Sequence, residues 1–258
     1  MLKISVKNKY NQTLQITQNN KYAVVEVTGL TPPKANINTS NLATKDGSVF
    51  NSSKLENRNI VIDIVPTGDC EAARLDLYKY FRGKQICTLY IETSTRKVMI
   101  DGYVESVTAN LYENPQKVQM SIICPDPWFK SETPQVINFD TNPKTINSDS
   151  DDDTGVIITA TMSGAASDPS FTNSTTGETF SLDYDFQSGD VLTVDTRRGS
   201  KSVKVLRSGA TINLLNYITS ATKWIYLITG NNTITYNAAS GAANMAVKLT
   251  LQSIFEGV

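Results

Sequence analysis

Histidine is absent from the 258 residues. That removes the commonest general base at neutral pH, the commonest metal ligand and every His-dependent triad. Cysteine is nearly absent too: Cys70, Cys87 and Cys124 lie far apart without CxxC spacing. Such a set argues against a disulfide framework, fits a reducing compartment, and reads as small apolar fillers. No apolar run approaches the ~18 residues of a membrane span, so no membrane insertion is expected. The opening MLKISVKNKY alternates apolar and polar residues, as a strand does. A signal peptide needs a basic start and a longer apolar stretch, so the sequence predicts a protein made and used without Sec export.

Charge excludes a further class. Lys and Arg total 24 against 25 Asp and Glu. The residues up to 135 carry 16 basic and 13 acidic groups, the remainder 8 and 12, and neither part is a nucleic-acid footprint. At 40% hydrophobic the chain can bury a core.

What is present is mostly strand. Leu2, Ile4 and Val6 alternate with polar residues, Leu14 and Ile16 repeat the pattern, and Ile60, Ile62 and Ile64 form one face of a strand whose other face holds Val61 and Val65. Val98 and Ile100, then Val118, Met120 and Ile122, add further runs. One helix interrupts them. In DCEAARLDLYKYFR, Asp69 caps the first amides and Glu71 sits in the first turn. Lys79 and Arg82 lie at the negative end, and Gly83 is a natural stop. Cys70, Ala73, Leu77 and Phe81 fall on one stripe that packs on a sheet.

The stretch DTNPKTINSDSDDD (140–153) holds Ile146 as its one aliphatic residue and reads as a linker or long exposed loop. The expected domains are residues 1–135 and 136–258. After the linker, alternating runs at 156–162, 180–186 and 245–251 are separated by Gly and Asn turns, which argues for an antiparallel sandwich or jelly roll. A single helical turn is expected near Leu214 to Ile218.

Tests for chemistry come back empty. DSDDDTG at 149–155 superficially looks like a calcium loop, but Thr154 and Ala160 stand where Gly and Glu are needed. Asp183 and Asp185 are a carboxylate pair two residues apart, which most simply marks the wet side of a sheet. There is no GxxxxGK[ST], GxGxxG or GxSxG. No catalytic residue, metal site or cofactor is expected, and an enzyme is not. Trp128, Trp224 and Tyr226 are candidates for a sugar-stacking platform or for core.

The ordered landmarks resemble those of the siphophage distal tail protein (Dit) family. YAVVEV leads to Gly29-Leu30, a polar loop runs to Asp46-Gly47-Ser48-Val49-Phe50, and Asn57-Arg58 enters NIVIDIV. The capped helix with Arg74 and Phe81 follows, then Ile100-Asp101-Gly102-Tyr103-Val104-Glu105 and the turn Cys124-Pro125-Asp126-Pro127-Trp128-Phe129. In the second half Ser188-Gly189-Asp190 runs into VLTVDT, then Val203-Lys204-Val205. Trp224 leads to Leu227 and Gly230-Asn231-Asn232-Thr233-Ile234. The acidic stretch and Thr229, where a proline often stands, depart from the pattern.

The resemblance implies a mainly β fold: an N-terminal β-sandwich or split-barrel domain with one helix, then a galectin-like antiparallel β-sandwich. It implies a virion tail-tip protein, assembled in the host cytoplasm, whose first domain forms a homohexameric ring around the channel. That ring would join the major tail tube protein to the tail-tip protein, while the second domain projects outward to hold adhesion or receptor-binding proteins. Arg58 and Arg74 are the expected polar anchors between subunits, since arginine suits bidentate pairing; each can instead pair within its own subunit. The rival is a carbohydrate-binding adhesion module in which Trp224 or Tyr226 stacks on a host glycan. No sequence-specific nucleic acid is expected as a partner.

Overall fold

The structure, a computed structural model, describes residues 2–44 and 46–258. They divide into two compact units, the first containing residues up to Glu132 together with Phe255–Val258, the second Thr133–Ile254.

In the first unit, β1 (Lys3–Asn8), β2 (Thr13–Gln15) and β3 (Tyr22–Thr28) are followed by the hairpin β4 (Ala35–Asn41) and β5 (Ser48–Leu55). Then come β6 (Arg58–Pro66), α1 (Cys70–Tyr80), β7 (Ile86–Glu92), β8 (Lys97–Ala109), β9 (Val118–Cys124) and β10 (Phe129–Ser131). One antiparallel sheet runs β2-β1-β7-β8-β9-β6-β3, with β10 also paired to β8. The period-2 pattern decides its faces: Ile60, Ile62 and Ile64 are fully buried beside Val118, Met120 and Ile122, while Val61 and Val65 on the reverse face keep partial exposure. Helix α1 starts where Asp69 accepts the Ala72 amide at 3.0 Å, and it presses Ala73, Leu77 and Phe81 into this core. Cys70, placed on that stripe by its spacing, stays half-buried. The helix ends at Phe81, and the left-handed residue beyond it is Lys84 (φ 65°) rather than the expected Gly83.

The second unit contains β11 (Gln135–Asn138), β12 (Lys144–Ser148), β13 (Thr154–Met162), β14 (Ala166–Ser167), β15 (Ser170–Asn173) and β16 (Glu178–Ser181). It continues with β17 (Asp185–Phe186), β18 (Val191–Asp195), β19 (Ser202–Arg207), β20 (Ala210–Asn213), β21 (Tyr226–Leu227), β22 (Gly230–Asn237) and β23 (Met245–Leu251). The sheet β11-β23-β13-β18-β19-β20 and the sheet β12-β22-β15-β16 share one core of Val156, Ile158, Phe171, Phe180, Leu192, Val194, Ile234 and Leu249 among others. Two antiparallel sheets around one core make a β-sandwich. A 3-10 turn at Leu215–Tyr217 is the one expected near Leu214.

Two sequence expectations are corrected here. The acidic stretch is no linker: β12 lies inside it and pairs Ile146 with Asn232. Ile146, Ser148 and Ser150 are buried. The few apolar residues misled because Ser148 and Ser150 are buried as hydrogen-bonding groups, which a hydropathy pattern does not register. The run Phe180 to Phe186 is not one strand either, since β16 stops at Ser181 and β17 begins at Asp185.

Candidate assembly surfaces

The hairpin β4–β5 is the least covered part of the first unit. Every residue of β4 is exposed, as is every residue of β5 before Leu55. Its strands pair only with each other among the described residues. In its register Ala35 faces Leu55, Ile37 faces Ser53 and Thr39 faces Phe50, which puts Ile37 and Phe50 on the same side. Both are 61% exposed. An isolated two-stranded hairpin is marginal in water, and uncharged edge strands invite pairing. Lys54 is the one charged residue on these two strands. A second apolar row crosses the reverse face of the main sheet, where exposed Ile86 lies opposite exposed Tyr103, itself opposite Ile123.

The root of this arm is held by Arg58. Its Nη1 donates to the carbonyls of Gly29 (2.5 Å) and Thr31 (2.7 Å), Nε to Pro127 (2.8 Å) and Nη2 to Glu256 (2.6 Å). Its guanidinium stacks over Phe129 at 4.3 Å. Burial pulls its pKa below the ordinary arginine value, against the smaller opposing effects of Cys124 and the Glu256 carboxylate. Arg58 is 3% exposed, and four of its five N–H donors bind carbonyls of its own chain, the within-subunit pairing that the sequence left open beside an inter-subunit anchor. Gly29 is obligatory for this arrangement. Its φ is +82°, and a Cβ there would sit 2.1 Å from the Asn59 carbonyl oxygen.

Arg74 is placed differently. It lies on α1, half-buried, with Nη1 donating to the Tyr78 hydroxyl at 3.1 Å and Nε without a partner.

Cys87 and Cys124 are buried and pushed up to about 12 by desolvation, and the three cysteines are free. Gly102 lets the strands beside them close up, since a Cβ there would meet Ile122 Cγ2 at 2.5 Å and Cys124 Sγ at 2.9 Å. Among the described residues no group of three or more Cys, Asp and Glu is arranged to hold a metal ion, and no helix is long and apolar enough to cross a membrane.

In the second unit Trp224 and Tyr226 flank buried Ile225 and keep partial exposure. The Trp224 ring lies 5.3 Å from that of Phe180, at 47°, and Lys201 Nζ lies 5.3 Å from its centre. The Glu178 carboxylate raises the Tyr226 pKa. Trp128, half-buried, belongs to the first unit. Asp183 and Asp185 are both exposed, and Asp185 accepts the Ser167 hydroxyl at 2.5 Å.

Polar anchors that apolar patterning missed hold this unit together. Asn232 is fully buried; its amide donates to the carbonyls of Ile228 (2.8 Å) and Gly230 (3.0 Å) and accepts from the Ile228 amide (3.0 Å). Thr229, standing where proline was expected, donates its hydroxyl to the Ser150 carbonyl at 2.7 Å. Asp190, 2% exposed, is bound by Arg207 through Nε at 3.0 Å and Nη2 at 2.5 Å. The Gly-Asn-Asn and Ser-Gly-Asp motifs were the signals for two of these anchors.

Residues 149–252 match the family model for the siphovirus-type tail component, C-terminal domain. Among solved structures the chain is similar to the distal tail protein Dit (gp 19.1) of phage SPP1, described as a paradigm of the hub adsorption apparatus of phages infecting Gram-positive bacteria. The TM-score is 0.72 at 17% identity, over 98% of this chain and 99% of that one. It is also similar to chains of the phage P2 baseplate in its activated conformation, with calcium (TM-score 0.57, 9% identity) and with strontium (0.56, 9%), each over the whole of both chains. A search of curated proteins gives no match. The second unit thus carries a match to the siphovirus-type tail-component domain, and the chain as a whole shares the fold of the SPP1 Dit protein.

Proposed function

We propose that this protein is the distal hub of a long non-contractile tail, a homohexameric ring that joins the tail tube to the tail-tip and receptor-binding apparatus. The observation that carries the ring is the unpartnered arm β4–β5, whose apolar side with Ile37 and Phe50 faces water in the single chain. The first unit also offers the apolar row Ile86–Tyr103–Ile123. Two different surfaces that fit each other make a heterologous contact, and repetition of that contact closes a ring when the rotation permits. The hairpin with its turn spans 21 residues (35–55), about the number on one side of a standard interface. The likeness to the SPP1 hub protein over 98% of the chain supports the same placement. Arg74, with its Nε unpaired, is the polar residue we assign to that contact.

In this reading the second unit is the outward platform for baseplate or receptor-binding proteins. The adhesion reading would require Trp224 and Tyr226 to offer free faces to a glycan, whereas the Trp224 ring is engaged by Phe180 and Lys201. The test is light scattering on the wild type and on Ile37→Asp/Phe50→Asp. The wild type is expected to form a multimer and the variant a monomer with an unchanged melting temperature, since neither residue belongs to a core. A variant that assembles like the wild type overturns the arm contact.

A further inference from the structure

After completing the second unit the chain returns, and Phe255–Val258 become part of the first. Phe255 is buried in the first unit's core, under the guanidinium of Arg96 at 4.3 Å. The next two carbonyls each accept from an arginine at 2.6 Å, Glu256 from Arg58 and Gly257 from Arg96. The Val258 amide donates to the Leu30 carbonyl at 3.1 Å. A Cβ on Gly257 would lie 3.2 Å from both the Leu30 carbonyl oxygen and Pro32 Cδ, so a side chain there would press on the groove wall.

An aromatic anchor, main-chain hydrogen bonds and one position reserved for a small residue are how grooves read extended peptides. The same groove touches the arm. Arg58 shares its donors between Glu256 and the carbonyls of Gly29 and Thr31, and Val258 binds Leu30. These residues immediately precede the arm, which departs at Ala35, and Arg58 stands three residues after it returns at Leu55.

We propose that the first unit contains a peptide-binding groove formed by Arg58, Arg96, Leu30 and Pro32, that its ligand is the chain's own Phe-Glu-Gly-Val segment, and that occupancy of the groove fixes the root of the arm. The segment is a latch: released, it deprives Arg58 of one acceptor and frees residues 29–34 together. The latch acts within one chain and does not depend on ring formation.

The experiment is hydrogen exchange on the full chain and on Phe255→Ala, with and without the synthetic peptide Ser-Ile-Phe-Glu-Gly-Val. The variant should exchange about ten-fold faster over 29–34 and 56–60 while β7, β8 and the second unit keep their protection. Added peptide should restore that protection saturably, and the same peptide with Ala for Phe should not. Unchanged exchange at the arm's root, or a rise with no response to peptide, overturns the proposal. So does a loss spread evenly over β7, β8 and β9, which would make Phe255 merely a core residue. A chain shortened after Ile254 provides the second readout: saturable peptide binding supports the groove, and no binding by a protein whose β7 and β8 remain protected refutes it.

Discussion

The guanidinium of Arg58 lies 4.3 Å from the centre of the Phe129 ring while its nitrogens bind four backbone carbonyls. A buried cation is costly, and here carbonyl dipoles and an aromatic face offset part of that cost. The arm's root, the Pro127 turn and the returning end of the chain therefore meet on one side chain.

Arg58→Met keeps much of the volume and strips all four carbonyls of their donor. At roughly 1 kcal/mol for each of the four acceptors left unpaired, the first unit should lose on the order of 4 kcal/mol. Denaturant unfolding followed by exchange in β6 and β9 measures it. Arg58→Lys, with three donors and no planar fork, should recover part of the loss.

Gly102→Ala probes the close approach of β8 to β9. Its methyl would meet Ile122 Cγ2 at 2.5 Å, and overpacking of this kind costs about 1–3 kcal/mol. A thermal melt of the variant should show the shift.

Asp190 gives the second unit a pH dependence. The Arg207 hydrogen bonds hold its carboxyl below the ordinary aspartate value of 3.8. A depressed folded value means the stabilisation is present above the unfolded value and is lost as pH falls through the folded one. The wild type should therefore lose stability below about pH 4 more steeply than Asp190→Asn. The variant should start about 1.5–3 kcal/mol lower at neutral pH. Urea unfolding between pH 2.5 and 7 reads both.

Trp224→Ala separates hub from adhesin. Half-buried against Phe180, the ring contributes packing, and its loss should destabilise the second unit by about 1.5–3 kcal/mol. A glycan array should read the same for variant and wild type. Glycan binding by the wild type that the folded variant lacks would contradict this.

The strands were legible because one-sided burial writes period-2 patterns: Ile60 to Ile64 and Val156 to Met162 announced their faces, and Asp69 announced the helix start. The fold's polar joints were not. Ser150, Asn173 and Asn232 are buried with hydrogen-bond partners contributed by distant segments, and nothing local in sequence records those partners. The acidic stretch was misread for that reason. For Arg58 the sequence left pairing between subunits and within one subunit both open, since the carbonyls it binds come from residues 29, 31, 127 and 256, far apart along the chain. The arm was legible only as a polar loop, because Ile37, Val49 and Phe50 are scattered among polar residues and their pairing as a hairpin is set by the register.

The central claim is the ring, and native mass with negative-stain imaging of the purified protein tests it most directly. The account predicts a particle of about 170 kDa, six times the 28.3 kDa chain, with a central hole. A monomer at every concentration, with the arm at 35–55 exchanging as freely as an open loop, would contradict it.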